Sequence, residues 1–299
     1  MTDVATAVAD VLRAGGWSRT PRLRLLDFDV VVHSDDPALV DLVEVLYAPA
    51  VVPPGVGSGA PHVLALGEAV VDGRPGFSVT LDGVGVTRTT APGVAFAHLV
   101  FEANRQSIEC STAAVLLHAA AAVVDGVAVV LPGAMGAGKS TLVAGLVHSG
   151  AGYLTDEATA IDPTTGVVHA YPKPISLGAL PPPPLPAAPW VPPAGARAYL
   201  GSSGLVPVEA LRPGAVAAPT PAGLVVLPAY VPGAPTTVER LGPADALAAV
   251  GAHAFHLDRP GALPSLAGVL GPRPCYRLES GDLGQAVAVV RDLVAGRAG

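Results

Sequence analysis

The chain has 299 residues, 51% of them hydrophobic and 14% charged, with a net charge of −7. That much apolar side chain excludes disorder along the whole chain, and the acidic balance excludes a nucleic-acid binder, which needs a basic face. The length suits two domains or one large one. A mean hydropathy of +0.51 raises the question of a membrane span, but no run supports one. The apolar stretch 113–131 is broken by His118 and by Asp125-Gly126, and 174–196 is too rich in proline for a helix. Asp3 and Asp10 stand where a signal peptide would have a basic start and an apolar core. Cys110 and Cys275 are too few for a disulfide framework and read as two buried thiols of a reducing cytosol. The expectation is a soluble, cytoplasmic protein with neither membrane nor nucleic-acid partners.

In chain order, residues 1–16 predict a short amphipathic helix with Val4, Val8, Val11 and Leu12 on one face. Residues 23–32 alternate as a strand, and Asp36-Pro37 opens a helix through Leu46. Apolar runs at 63–66, 77–81 and 84–89 predict strands, and Asp72-Gly73 and Asp82-Gly83 predict hairpin turns. A helix over 95–108 closes an N-terminal α+β domain, 1–110, that carries no recognisable chemistry. In the second domain, 111–299, the runs 119–124 and 127–131 flank Asp125-Gly126 as a hairpin that feeds a glycine-rich loop. A helix over 141–148 and a strand over 152–155 follow. Residues 180–196 form a proline-rich loop; a site for WW- or SH3-type modules is the less favoured reading, a lid or mobile segment the more favoured. Further strands are expected at 224–227 and 275–278, and helices at 244–250 and 285–293.

The sequence Gly133-Ala134-Met135-Gly136-Ala137-Gly138-Lys139-Ser140 fits G-x-x-x-x-G-K-[ST] at every fixed position. Glycines let backbone N–H groups converge on phosphate oxygens, and a helix starting at Lys139 adds the positive end of its dipole. Lys139 then meets the β- and γ-phosphates, and the Ser140 hydroxyl meets Mg²⁺. The chain has only two lysines, Lys139 and Lys173, so one of them filling this slot is informative. The nucleotide-binding residues are therefore Gly133 through Thr141. There is no Asn-Lys-x-Asp motif, the one asparagine being Asn104, and no Leu-Ser-Gly-Gly-Gln signature. A GTPase and an ABC-transporter ATPase are thereby disfavoured. Asp156 and Glu157 begin 17 residues after Lys139, at the end of a strand expected beside the phosphates. Such a pair can divide two jobs, one acid taking a proton from a nucleophile and the other holding Mg²⁺. The same pair in a P-loop ATPase has the roles reversed, Asp156 on the metal and Glu157 activating water.

His118 lies 21 residues before Lys139. His118, the hairpin, Gly133–Ser140 and Leu154-Thr155-Asp156-Glu157 together resemble the C-terminal domain of the HPr kinase/phosphorylase family. The resemblance is firm over 118–162 and looser to the end of the chain. It implies an α/β fold, a P-loop kinase domain of the HPr-kinase type with a smaller N-terminal α+β domain. It implies an ATP- and Mg²⁺-dependent kinase, with Asp156 as general base for a serine hydroxyl, His118 and Lys139 near the transferring phosphate, and Ser140 and Glu157 on the metal. Glu157 stands where the family usually has aspartate, and no Arg-Gly pair occurs anywhere in the chain. The family ties that pair to the HPr substrate and to the reverse reaction, so neither is implied. The acceptor expected is a hydroxyl of a protein, a peptide or a small molecule, and the resemblance allows a homo-oligomer. Lys173 is a candidate second cation near the γ-phosphate. Arg197 and Arg212 flank the proline-rich loop and are candidates to close with it. A non-catalytic nucleotide sensor is the third reading.

Overall fold

In the computed structural model, residues 4–56, 59–113, 115–178, 182–186, 190–201 and 203–296 are described. Within the proline-rich loop, 180–181 and 187–189 lie outside the described residues. The protein is a mixed α/β chain that packs as two compact units, Met1–Ser111 with Trp190–Pro207, and Thr112–Pro189 with Val208–Gly299.

The first unit begins with α1 (Val4–Ala14), whose burial differs from the amphipathic expectation. Val4 is 64% and Val11 71% exposed, and the buried residue is Ala5. The run 23–32 is a hairpin, not one strand. After β1 (Ser18–Arg19), β2 (Leu23–Leu25) pairs antiparallel with β3 (Phe28–Ser34), because Leu26 turns through the left-handed region at φ 55°. Asp36 caps α2 (Pro37–Leu46) by accepting from Ala38 N, as its Asp-Pro start leads one to expect. Strands β4 (His62–Val71), β5 (Arg74–Leu81) and β6 (Val84–Thr89) form a meander on the two Asp-Gly turns. The sheet order is β1-β3-β4-β5-β6, with β2 also on β3 and α3 (Pro92–Glu109) after β6. Cys110, expected buried, is exposed just past the end of α3, whereas Cys275 is buried.

The second unit is built on β7 (Val115–Val124). It pairs antiparallel with β8 (Val127–Pro132), and α4 (Lys139–His148) then leads to β9 (Gly152–Thr155). Next come β10 (Ala158–Ile161), β11 (Val167–His169) and the two-residue β12 (Ile175–Ser176). The segment 190–207, which holds α5 (Arg197–Leu200) and β13 (Leu205–Val206), belongs to the first unit. The second resumes with α6 (Val208–Leu211), β14 (Thr220–Tyr230), β15 (Thr237–Arg240) and α7 (Pro243–Gly251). It ends with β16 (Ala254–Phe255), α8 (Ala262–Leu270), β17 (Cys275–Ser280) and α9 (Leu283–Ala295). The sheet runs β11-β10-β7-β8-β14-β17-β15, with β9 and β16 also on β7. Among the described residues only the β8–β14 and β14–β17 strand pairs of this sheet are parallel. Of these strands β8 and the middle of β14 are buried on both faces and read as apolar runs, the pattern of parallel strands, whereas β17 carries the exposed Arg277 between buried Cys275 and Leu278. Their core includes Leu117, Val130, Val225 and Leu266. Among the described residues no helix is long and apolar enough to cross a membrane.

Candidate functional site

The glycine-rich loop leaves β8 at Pro132 and enters α4 at Lys139. Gly136 and Gly138 take φ of 81° and 89°, a region that costs an L side chain about 1–2 kcal/mol. At Gly138 a Cβ would also lie 3.2 Å from the Cβ of Tyr230. The loop is tied to the neighbouring strand by Tyr230 N donating to Ala137 O at 3.2 Å. Lys139 is buried, and its Nζ donates to Gly133 O at 2.8 Å and to Ala134 O at 3.0 Å. Burial lowers its pKa, and the Glu157 and Asp156 carboxylates oppose that. Ser140 and Thr141 start α4 and line the same cleft, while Met135 projects from the loop, 91% exposed.

The acidic pair reaches this loop by a route that differs from expectation. Its strand, β9, pairs with β7, so β7 separates it from β8. Asp156 and Glu157 form the turn between β9 and β10. Asp156 is 2% exposed. Its Oδ1 accepts from Tyr153 Oη at 3.0 Å and pairs with Lys173 Nζ at 2.9 Å. Among the described residues its Oδ2 accepts only a long bond, 3.4 Å, from Ser176 N. Glu157 is more open, with one oxygen 3.9 Å from Lys173 Nζ and the other 3.8 Å from His118 Nε2. Burial pushes its pKa up, Lys173 opposes this, and Asp156 adds to it.

His118 lies opposite Ala158 in the β7–β10 register, and Phe255 stacks on its ring with centroids 6.0 Å apart. The 3.8 Å approach to Glu157 suggests an ion pair, but burial and the Lys139 charge depress the imidazole pKa below its ordinary 6.5. At neutral pH the ring is therefore uncharged, and the contact is polar rather than ionic.

His118, the loop from Met135 to Thr141, Asp156 and Glu157 line one cleft of about 710 Å³. The cleft continues past Ser176 and Leu177 on the acidic side and past Tyr230, Leu278 and Leu283 on the other. Lys173 sits behind the acids. Arg212 lies elsewhere, because its guanidinium is committed to Val147 O in the last turn of α4 and to Ala151 O just past it. Arg197 belongs to the first unit.

No family model matches this chain, and no curated protein matches it. A solved structure titled "Structure of the Hpr(Ser) kinase/phosphatase from Coxiella burnetii" is similar over 62% of this chain and 99% of its own, at 14% identity and a TM-score of 0.33. The likeness is distant and carries no weight for activity. What the site can do rests on its own groups.

Two of those groups were not found by sequence reasoning. Tyr153 is wholly buried, and burial followed by the Asp156 charge raises its pKa well above the ordinary value, so it stays a phenol whose O–H donates to Asp156 Oδ1, with Lys173 O as a second, longer acceptor at 3.2 Å. Its signal was available: a tyrosine inside a short buried strand must find a partner for its hydroxyl. The second is the β16 segment, where His253 O accepts from His118 N at 2.7 Å and Phe255 supplies the stacking ring. A two-residue strand so distant in sequence leaves no local signal.

Proposed function

We propose that the second unit is a nucleoside-triphosphate-dependent phosphotransferase that moves the γ-phosphoryl group to a hydroxyl, most simply a serine of a protein or peptide. The observation that carries this reading is the convergence of the Gly133–Thr141 loop and the Asp156–Glu157 pair on one cleft. A purely nucleotide-binding loop has no need of a buried carboxylate beside the phosphates. Phosphoryl transfer depends mainly on positioning and charge neutralisation, and these residues offer both.

In the proposed reaction the acceptor oxygen attacks γ-phosphorus, the bond from γ-phosphorus to the β,γ-bridging oxygen breaks, and the acceptor proton passes to Asp156. Oδ2 is the atom with capacity for it, since Oδ1 is engaged by Tyr153 and Lys173. Backbone N–H groups of the loop and the start of α4 hold the phosphate chain, and Lys139 turns from its loop carbonyls to the β- and γ-oxygens. Neutral His118 lies beside Glu157 at the same mouth. Mg²⁺ binds through one or two carboxylates plus phosphate oxygens rather than a protein cage, and Ser140 with Glu157 is a donor set of that sparse kind. Among the described residues neither Glu157 oxygen makes a close hydrogen bond that a metal would have to displace. When bound there, the ion neutralises charge on the transferring group.

A second reading assigns Glu157 to activate water in an ATPase, and its burial-raised pKa favours that role. Mg²⁺ and γ-labelled ATP, incubated with the protein and with desalted lysate or a metabolite fraction, separate the two. Label in an acceptor, lost in Asp156→Asn but not from the nucleotide-bound state, is the expected result. Label only in inorganic phosphate, abolished by Glu157→Gln, would establish the ATPase instead.

A further inference from the structure

The first unit contains a cavity of about 160 Å³ between α1 and its sheet. Strand register explains the floor. Arg19 lies directly opposite His33 in the β1–β3 pair, and Val31 opposite Val63 in the β3–β4 pair. Facing residues of neighbouring strands put their side chains on the same face, as do residues two apart on one strand. The roof is α1, which turns Ala5, Thr6 and Ala9 inward while leaving Val4 and Val11 to solvent. A helix that only closed a core would bury its valines. This one keeps small side chains over the space.

Two groups at the cavity could receive an anion, one buried and one open to solvent. His33 is 1% exposed, and its Nδ1 has no hydrogen-bond partner among the described residues. A buried polar atom left unpaired is unfavourable unless something else satisfies it. Arg19 has no carboxylate within ion-pair distance among the described residues, whereas Arg13, at the same cavity, pairs with Asp10. Apart from Thr6, the remaining wall is apolar, with Ala5, Ala9, Val31, Pro61 and Val63. There is room for about five water-sized groups.

We infer that this cavity binds a small carboxylate with a short apolar body, the carboxylate accepting from Arg19 and His33 and the body lying under Ala5 and Ala9. A planar two-oxygen anion suits the guanidinium fork, and the imidazole N–H meets its remaining lone pair. Its lining shares no residue with the cleft of the second unit. The ligand is either a free short-chain acid or the C-terminal carboxylate of a peptide that ends in a small apolar residue.

Calorimetric titration of the full chain with pentanoate, N-acetylvaline and neutral pentanamide tests this. Saturable binding of at least one acid, with pentanamide weaker by about tenfold or more, is expected. Tighter pentanoate identifies the free acid, and tighter N-acetylvaline the peptide terminus. Arg19→Gln, at an exposed position, is expected to weaken the acid by about tenfold with its melting curve unchanged. Ala9→Leu, which fills the space, is expected to abolish binding while the chain stays folded. No saturable binding below about 10 mM, equal affinity for pentanamide, or wild-type affinity in both variants would overturn the inference.

Discussion

At the scale of single residues the site turns on how Asp156 is held. The Lys173–Asp156 pair is nearly solvent-free, with side chains 3% and 1% exposed. Removing one partner of such a pair strands the other charge, which costs about 3–5 kcal/mol. Loss of one neutral donor to a carboxylate costs about 1.5–3 kcal/mol. Lys173→Met is therefore expected to lower the chemical-denaturation midpoint more than Tyr153→Phe, and equal effects would show that Lys173 serves only as a local loop contact. The histidines supply a pH signature. His33, His118 and His253 all have pKa values held below the ordinary 6.5, in each case first by burial. Below about pH 6.5 the unfolded chain takes up protons that the folded chain refuses, so stability is complete above that pH and falls as the pH drops through it. Each such group adds a slope of at most about 1.4 kcal/mol per pH unit. His118→Gln is expected to flatten the fall in Tm between pH 7.5 and 5.5, and an unchanged slope would count against a buried neutral imidazole.

Elements were legible where chemistry is local. Asp36-Pro37 and the Asp-Gly pairs mark a helix start and turns through capping and left-handed backbone, and the structure has them there. The same locality made the loop Gly133–Ser140 readable. Packing decided the rest. Residues 23–32 carry strand alternation throughout, yet Leu26 breaks them into a hairpin. Strands β10, β11 and β16 have only 4, 3 and 2 residues, too short to leave a period. In the candidate site the loop and the acids were within reach of spacing, but the insertion of β7 between β8 and β9 is a property of sheet order that spacing does not encode. Two tests belong at this scale. Gly138→Ala is expected to cost about 1–2 kcal/mol from backbone strain alone, and crowding against Tyr230 should weaken triphosphate binding further. Asp282 caps α9 by accepting from Gln285 N at 2.8 Å. Asp282→Ala should cost about 1 kcal/mol, and Asp282→Asn much less, because asparagine caps equally well. A reversed order in thermal melts would refute the capping role.

For the whole molecule, two units each with its own sheet imply two stabilities rather than one. Scanning calorimetry should give a total enthalpy larger than the van't Hoff enthalpy of a single transition. Mg-ATP should raise only the transition of the unit that carries the loop, by mass action on its folded form. A small carboxylate should act on the other.

The central claim is that the Gly133–Thr141 loop holds a triphosphate through Lys139. Titration calorimetry of Mg-ATP into the wild-type chain, Lys139→Ala and Asp156→Asn tests it most directly. The expected result is saturable binding to the wild type, a loss of about a hundredfold or more in Lys139→Ala, and near-wild-type affinity in Asp156→Asn. Wild-type affinity in Lys139→Ala, or no binding by the wild-type chain, would contradict it.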